Sequence, residues 1–162
     1  MSSVAYNKLT GTIPSEIGSL EFLHHLALAE NKLTGSIPIE ITKLNYLTYL
    51  HLYANKLTGT IPTEVGLLAN LTELLLSEND LSGSIPSEIG LLTSLTRLGF
   101  DSNKLAGSIP SEIGLLTKLT ALSIGEFMKR MIELVLCPLI AGFAHPSTYL
   151  FIRTFIHRRQ FS

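Results

Sequence analysis

The sequence predicts an α/β repeat, a solenoid whose turns of 24 residues each add one short parallel strand to a common sheet. Three observations predict it. Asparagine recurs at one spacing, at Asn7, Asn31, Asn55, Asn79 and Asn103. Glycine recurs four residues later, at Gly11, Gly35, Gly59, Gly83 and Gly107. An isoleucine–proline pair follows each glycine, with its proline at Pro14, Pro38, Pro62, Pro86 and Pro110.

Apolar residues between these markers predict where each turn faces the core. In the third turn they stand at Leu44, Leu47, Leu50, Leu52, Leu57, Ile61 and Val65. The alternation of Leu50 and Leu52 indicates a short strand with one face buried. Because the same pattern recurs in every turn, inward leucines from successive turns are expected to stack into one continuous core.

The markers themselves are predicted to be structural. Where the chain bends after the strand, Asn31, Asn55, Asn79 and Asn103 are expected to satisfy buried backbone groups, because an amide both donates and accepts hydrogen bonds. Gly35 and its equivalents suit a positive φ or a close backbone approach. The proline is expected at the first position of a short helix or 3₁₀ turn.

Together these residues form the pattern LxxLxxLxLxxNxLxGxIPxxIxxL, which resembles the plant-type leucine-rich repeat of receptor-like kinases and polygalacturonase-inhibiting proteins. The resemblance covers residues 4–124 and ends there, since Phe127 and Met131 stand where asparagine and glycine are due. It implies a leucine-rich-repeat solenoid with a parallel concave sheet that recognises a protein or peptide. Cys137 is the only cysteine, whereas secreted members of the family usually have cysteine-paired caps.

Two segments follow from this reading. Residues 1–124 are predicted to form about five repeats and the start of a sixth, truncated at the N-terminus, and residues 125–162 a non-repeat, apolar and basic tail. Apolar spacing and prolines predict two helices in the tail, over 126–136 and about 146–157. Three interpretations stay open: a cap on the last turn, a membrane segment through the uncharged stretch 134–152, or read-through sequence.

Charge and the N-terminus restrict the partners and the compartment. Residues 1–124 hold seven Lys and Arg against eleven Asp and Glu, so the repeat region is mildly acidic. Nucleic-acid binding is not predicted, because it would need a clustered basic face. The first ten residues show no secretory signal, and the chain begins inside a repeat, so Met1 is interpreted as the edge of a fragment or of a truncated gene model. Such a fragment is expected to be extracellular or membrane-associated if it comes from a receptor-like protein, and cytoplasmic otherwise.

Residues between the strand leucines are predicted to form exposed columns across the turns, a strip on the order of 25 Å long. The first two columns are His25, Tyr49, Glu73, Arg97, Ala121 and Ala27, His51, Leu75, Gly99, Ser123. The next two are Ala29, Tyr53, Ser77, Asp101, Gly125 and Glu30, Ala54, Glu78, Ser102, Glu126. Exposed aromatic residues and Arg are the usual anchors of an interface. The candidate binding residues are therefore His25, Tyr49, His51, Tyr53, Glu73, Leu75, Arg97 and Asp101, with solvated strand positions of no particular function as the alternative.

The sequence predicts neither a metal site nor an active site. No metal is expected at His24, His25 and His51, because adjacent strand residues point apart and no cysteine or nearby carboxylate completes a ligand set. No catalytic constellation and no cofactor site are predicted, so the expected function is non-catalytic.

Two hydroxyl ladders flank the glycines and give an alternative function, binding of carbohydrate or ice. They are Thr10, Thr34, Thr58, Ser82 and Thr12, Ser36, Thr60, Ser84, Ser108. Asn70-Leu71-Thr72 also forms a glycosylation sequon, relevant if the protein is secreted.

Overall fold

The computed structural model describes residues 7–125, which form a stack of turns with one parallel five-stranded sheet on the concave side. Its strands are His25–Ala27, Tyr49–His51, Glu73–Leu75, Arg97–Gly99 and Ala121–Ser123. They lie side by side in chain order, and each residue pairs with the residue 24 positions away, as Leu50 does with Leu26 and Leu74. The predicted solenoid and its parallel concave sheet are therefore confirmed.

Short 3₁₀ helices form the opposite side of each turn. They are Ser15–Ser19, Ile39–Lys43, Thr63–Leu67, Ser87–Leu91 and Ser111–Leu115. Each begins directly after a proline with extended backbone, such as Pro62 at φ −66° and ψ 140°. The predicted 3₁₀ turn is confirmed, but proline precedes the helix rather than occupying its first position. The reason is that the fixed proline φ also suits an extended approach to the helix.

A single leucine-rich core runs between the sheet and the helices. Its large, fully buried side chains include Ile41, Leu44, Leu47, Leu50, Leu52, Leu57, Leu68, Leu71, Leu74, Leu76, Leu81 and Ile89. Leu50 and Leu52 are both buried on either side of the half-exposed His51, which is the predicted alternation. Each turn therefore buries its leucines between those of its two neighbours.

The asparagines join the backbones of successive turns. Asn79 Oδ1 accepts a hydrogen bond from the Leu57 N–H at 2.9 Å, one turn back. Its Nδ2 donates to Leu52 O at 2.9 Å, also one turn back, and to Leu76 O at 3.2 Å in its own turn. Equivalent bonds are made by Asn31, Asn55 and Asn103. Each amide thus links its own turn to the preceding one.

A second ladder consists of threonine hydroxyls just before the concave strands, and the sequence reasoning did not identify it. In each case Oγ1 donates to the carbonyl of the equivalent residue one turn earlier. The donors are Thr48, Thr72, Thr96 and Thr120, at 2.8 to 3.0 Å. These bonds fix the entry side of the sheet, as the asparagines fix its exit side.

Short strands after the asparagines form further parallel pairing that the sequence did not predict. Three strands pair in the first turns, at Thr10–Thr12, Lys32–Ser36 and Lys56–Thr58, and two pair later, at Ser82–Gly83 and Lys104–Leu105. Gly35 lies in this region with φ +76°, and a Cβ there would come within 2.8 Å of Thr12 Cγ2. Both demands predicted for this glycine, positive φ and close approach, are present.

Glycine also sets how closely the 3₁₀ helices stack. A Cβ at Gly66 or Gly90 would lie 2.6 Å from the nearest atom of the next helix. In the second turn this position holds Thr42, and the helix Ile39–Lys43 packs less closely against its successor than the other helices do. The 3₁₀ helices of the second and third turns are therefore packed less closely than the other neighbouring pairs.

The predictions about residues 1–6 and 126–162 lie outside the described residues. They include the tail helices, the cap and membrane interpretations and Glu126 in the last column. Among residues 7–125, no helix has the length and apolar character needed to cross a membrane.

Candidate functional site

Four rings cluster on the concave strands of the second and third turns. Tyr49, His51 and Tyr53 alternate with buried leucines and therefore share the exposed face of one strand and its continuation. Parallel pairing places His25 beside Tyr49, and their ring centroids are 4.4 Å apart. Tyr49 and His51 are 5.9 Å apart and His51 and Tyr53 6.3 Å apart, so the rings form one continuous surface.

Glu73 connects this ring cluster to the next two turns. Its Oε2 lies 2.9 Å from His51 Nε2 and 3.0 Å from Arg97 Nη1. The Glu73 side chain is only 18% exposed, whereas that of Arg97 is 52% exposed. The carboxylate therefore orients the imidazole and guanidinium, and Arg97 keeps donors directed to solvent because a guanidinium carries five N–H groups.

The remaining two candidates lie beside this network. Leu75 is half-buried, in register between His51 and Gly99. Asp101 accepts a hydrogen bond from the Ser77 hydroxyl in the neighbouring turn. All eight predicted binding residues thus lie on the concave sheet or directly after its strands, and the structure brings His25, Tyr49, His51, Tyr53, Glu73 and Arg97 into contact with one another.

Two column positions are not exposed as predicted. Ala29 is 2% exposed and Gly99 is buried. Ala29 carries only a methyl group and Gly99 has no side chain, so longer neighbours cover both positions; a Cβ added at Gly99 would lie 2.8 Å from Ser77 Oγ. The exposed strip is consequently narrower than the sequence predicts at both places.

The last predicted column is a row of left-handed turn residues. Glu30, Ala54, Glu78 and Ser102 have φ between 53° and 55°. Their backbone is held by cross-turn bonds, as Glu78 N–H donates to Asp101 O at 2.9 Å. Nothing in the sequence signals this conformation, because alanine, glutamate and serine rarely adopt a positive φ. These residues end the strip at the strand-exit edge.

An exposed aromatic pair at the strand-entry edge was also missed. Phe22, 77% exposed, stacks on Tyr46 at 5.8 Å, and His24 meets Tyr46 edge-on at 5.9 Å. Phe22 and Tyr46 occupy the same position in successive repeats, so an alignment of the repeats would have identified the pair. A shallow cavity of about 420 Å³, lined by residues 19–23, adjoins Phe22.

Metal-binding geometry is absent from the part of the chain that the structure describes, where no three His, Cys, Asp or Glu side chains converge. His24 and His25 turn to different sides, the first toward Tyr46 and the second toward Tyr49. The histidines of this surface therefore contact rings and one carboxylate. The expectation that no carboxylate lies near them is wrong for His51, because strand pairing brings Glu73 Oε2 to 2.9 Å from His51 Nε2.

The hydroxyl ladders lie away from the ring cluster, in and beside the second set of strands. Most of their members are exposed. Thr34 and Ser82 donate to the carbonyls of Gly11 and Gly59, one turn back, at 3.2 and 3.3 Å. These two hydroxyls therefore already have backbone partners.

Known proteins share this architecture. The family model described as Leucine Rich Repeat matches residues 22–44, 46–68 and 70–92. Among solved structures, the plant peptide hormone receptor RGFR1 in complex with RGF2 is 42% identical, with a TM-score of 0.71 over 74% of this chain and 19% of that one. The Arabidopsis receptor kinase HAESA, in complex with the peptide hormone IDA and the co-receptor SERK1, is 37% identical, with a TM-score of 0.74 over 76% and 21%.

A shorter relative matches over most of its own length. The BIR2 ectodomain from Arabidopsis thaliana is 30% identical, with a TM-score of 0.67 over 76% of this chain and 67% of that one. The present chain thus spans only about a fifth of the two receptor chains above. Curated protein sequences give no match. The repeat, the fold and these relatives establish that the chain belongs to the plant-type leucine-rich-repeat proteins.

Proposed function

We propose that this chain is a non-catalytic recognition module that binds a peptide or protein along its concave sheet, as part of a receptor-like protein on the extracellular side of a membrane. The observation that carries the proposal is the joined surface of four rings and the His51–Glu73–Arg97 network. No other exposed surface in residues 7–125 combines aromatic rings with an oriented guanidinium.

The chemistry of this surface favours a polypeptide ligand. Tyr49 and Tyr53 offer large contact areas while losing few rotamers, and Arg97 offers directional donors to carbonyl or carboxylate oxygens. Because Glu73 already orients His51 and Arg97, less entropy is lost when a ligand binds. The similar receptors RGFR1 and HAESA each bind a peptide hormone in their solved structures, which supports the same class of ligand here.

The size of the strip sets the scale of the interaction. Five strands at about 4.8 Å spacing give a length of about 20 Å. An extended peptide advances about 3.3 Å per residue, so about six residues fit across the strands. Such an interface is small, and its affinity must come from a few anchors. Tyr49 and Tyr53 are the anchors we propose.

Binding of carbohydrate or ice through the hydroxyl ladders is not favoured by the similar proteins, which are receptors for peptide hormones. The ladders supply a matched control instead. Thr58→Val with Thr60→Val changes two exposed residues away from the ring cluster and leaves all four rings in place.

The test is selection of a displayed random peptide library on the full chain, followed by calorimetry with the selected synthetic peptides. Tyr49→Ala with Tyr53→Ala is expected to weaken binding at least about 30-fold, because loss of an anchor costs about 2 kcal/mol or more. The Thr58→Val, Thr60→Val protein is expected to bind as the unchanged chain does. Equal affinity in both variants would refute the concave site, and loss only in the threonine variant would move the site to the ladders.

The non-catalytic part of the proposal has its own test. We expect no turnover when the chain is assayed with a panel of hydrolase substrates. Activity that disappears in a His51→Ala variant would contradict the proposal.

A further inference from the structure

Asn70 differs from the other asparagines of this chain. Of the seven in the sequence, it alone has a hydroxyl residue two positions later, at Thr72, and so forms the N-x-[ST] sequon. The ladder asparagines are committed to backbone bonds inside the fold, and Asn79 is only 8% exposed. Asn70 is exposed, in the turn that precedes the strand Glu73–Leu75.

The repeat position of Asn70 tolerates side chains of very different size. The equivalent residues in the other turns are Phe22, Tyr46, Ser94 and Lys118. Phe22 and Tyr46 project as large exposed rings there, and Lys118 is exposed too. No core contact in any described turn depends on this position, so a bulky group attached at Asn70 has space at the surface.

The contacts of the Asn70 amide are also compatible with attachment. Nδ2 donates one hydrogen bond, to Asn45 O at 2.8 Å, one turn back. An amide nitrogen has two hydrogens, and N-linked attachment replaces one of them. The remaining N–H can keep the bond to Asn45, which would hold the first sugar in a defined direction.

We propose that Asn70 is an N-glycosylation site, an inference that rests on the extracellular placement proposed above. In the reaction Nδ2 attacks C1 of an oligosaccharide carried on a lipid diphosphate. The bond from C1 to the diphosphate oxygen breaks, the N–C1 bond forms, and the amide proton is released with the lipid diphosphate. No oxidant or reductant is required.

A glycan at Asn70 would stand at the strand-entry edge, three residues before Glu73. The ring cluster extends in the other direction, from His25 and Tyr49 to Tyr53 near the strand-exit edge. The carbohydrate therefore restricts approach to the concave sheet from the entry side and leaves the exit side open.

The test is secretion of the full chain from plant cells behind a secretion leader, with peptide mass spectrometry before and after peptide N-glycosidase. The enzyme releases the glycan and leaves aspartate in place of the modified asparagine. We expect the unchanged chain to carry a glycan at Asn70. Asn70→Gln is expected to carry none, while it keeps an amide at this position.

Thr72 provides the matched pair of controls. Thr72→Ser keeps both the sequon and the hydroxyl that donates to Thr48 O, and we expect it to be glycosylated. Thr72→Val removes the sequon, and we expect it to be unmodified. An unmodified Asn70 in the unchanged secreted chain, with a co-secreted reference glycoprotein modified normally, would overturn the inference.

This outcome is separable from the peptide-binding proposal, because the mass measurement needs no ligand. As a second readout, the secreted Asn70→Gln chain is expected to bind the selected peptides as tightly as the glycosylated chain does. A marked loss of affinity in Asn70→Gln would contradict the placement of the glycan outside the binding surface. Failure of both chains to bind would refute the peptide proposal and leave the modification site standing.

Discussion

Replacing Asn79 by alanine tests whether the asparagine ladder joins the turns. Asn79 lies in the middle of the stack and bonds to four backbone groups, two of them one turn back and two in its own turn. After Asn79→Ala the carbonyls of Leu52 and Leu76 each keep another asparagine donor, from Asn55 and Asn103, and the carbonyl of Ser77 keeps the N–H of Ala54. The N–H of Leu57, a residue at 0% exposure, is left without its acceptor.

The expected cost follows from that inventory. One buried, unsatisfied N–H costs about 1 to 3 kcal/mol. The two amide hydrogens of Asn79 are shared among three carbonyls that all remain bonded, so losing these two donors costs about 0.5 to 1.5 kcal/mol each. The sum is roughly 2 to 6 kcal/mol, and we expect a value near 4 kcal/mol. Asn79→Asp is expected to be destabilising too, because a carboxylate keeps the bond from Leu57 but cannot donate to any of the three carbonyls.

The measurement is urea unfolding of the full chain, followed by circular dichroism. Asn31→Ala is the matched control, because it makes the same change at the same repeat position. The N–H bonded to Asn31 Oδ1 belongs to Leu9, which is 38% exposed, so water can replace the lost acceptor. We expect a cost of about 1 to 3 kcal/mol there, from the lost bonds of its amide to the carbonyls of Leu28 and Ala29. Equal costs at the two positions, or a loss under 1 kcal/mol at Asn79, would refute the accounting.

Three further substitutions, one of them a control, test the packing. Leu74→Ala is expected to cost roughly 2 to 5 kcal/mol, because Leu74 is 0% exposed, whereas Leu91→Ala, at 59% exposure, is expected to stay within about 0.5 kcal/mol. Urea unfolding measures both costs, and similar costs for Leu74→Ala and Leu91→Ala would contradict the burial argument. Gly90→Ala is expected to cost about 1 to 3 kcal/mol, because its Cβ would meet Glu112 Cβ at 2.6 Å. An unchanged thermal midpoint would contradict the role of this glycine in close helix packing.

Much of the fold could be predicted because every turn repeats the same sequence pattern and therefore the same local structure. The recurrence of asparagine, glycine and leucine defines the period, and the period alone determines which residues become neighbours across strands. For that reason the sequence alone predicts that Tyr49 lies beside His25 and Glu73, as it does in the sheet. Alternation within a strand similarly predicted that Leu50 and Leu52 point inward.

The repeat did not reveal contacts that depend on side-chain direction or local backbone. The threonine ladder needs Oγ1 to point one turn back, and the left-handed residues after each strand have no common residue type. The second set of strands and the exposed Phe22–Tyr46 pair depend on how far neighbouring turns lie apart. That distance itself varies, since Thr42 replaces the glycine that allows close packing.

The same division holds for the candidate site. The sequence by itself determined that His51, Glu73 and Arg97 lie on one face, because a fixed period brings equivalent positions into register. Only the tertiary structure decided that a single carboxylate oxygen of Glu73 is shared between His51 and Arg97, and that Ala29 and Gly99 are covered. The physical reason is that register is a property of the backbone repeat, whereas ion pairing and exposure are set by rotamers and by the size of each neighbouring side chain.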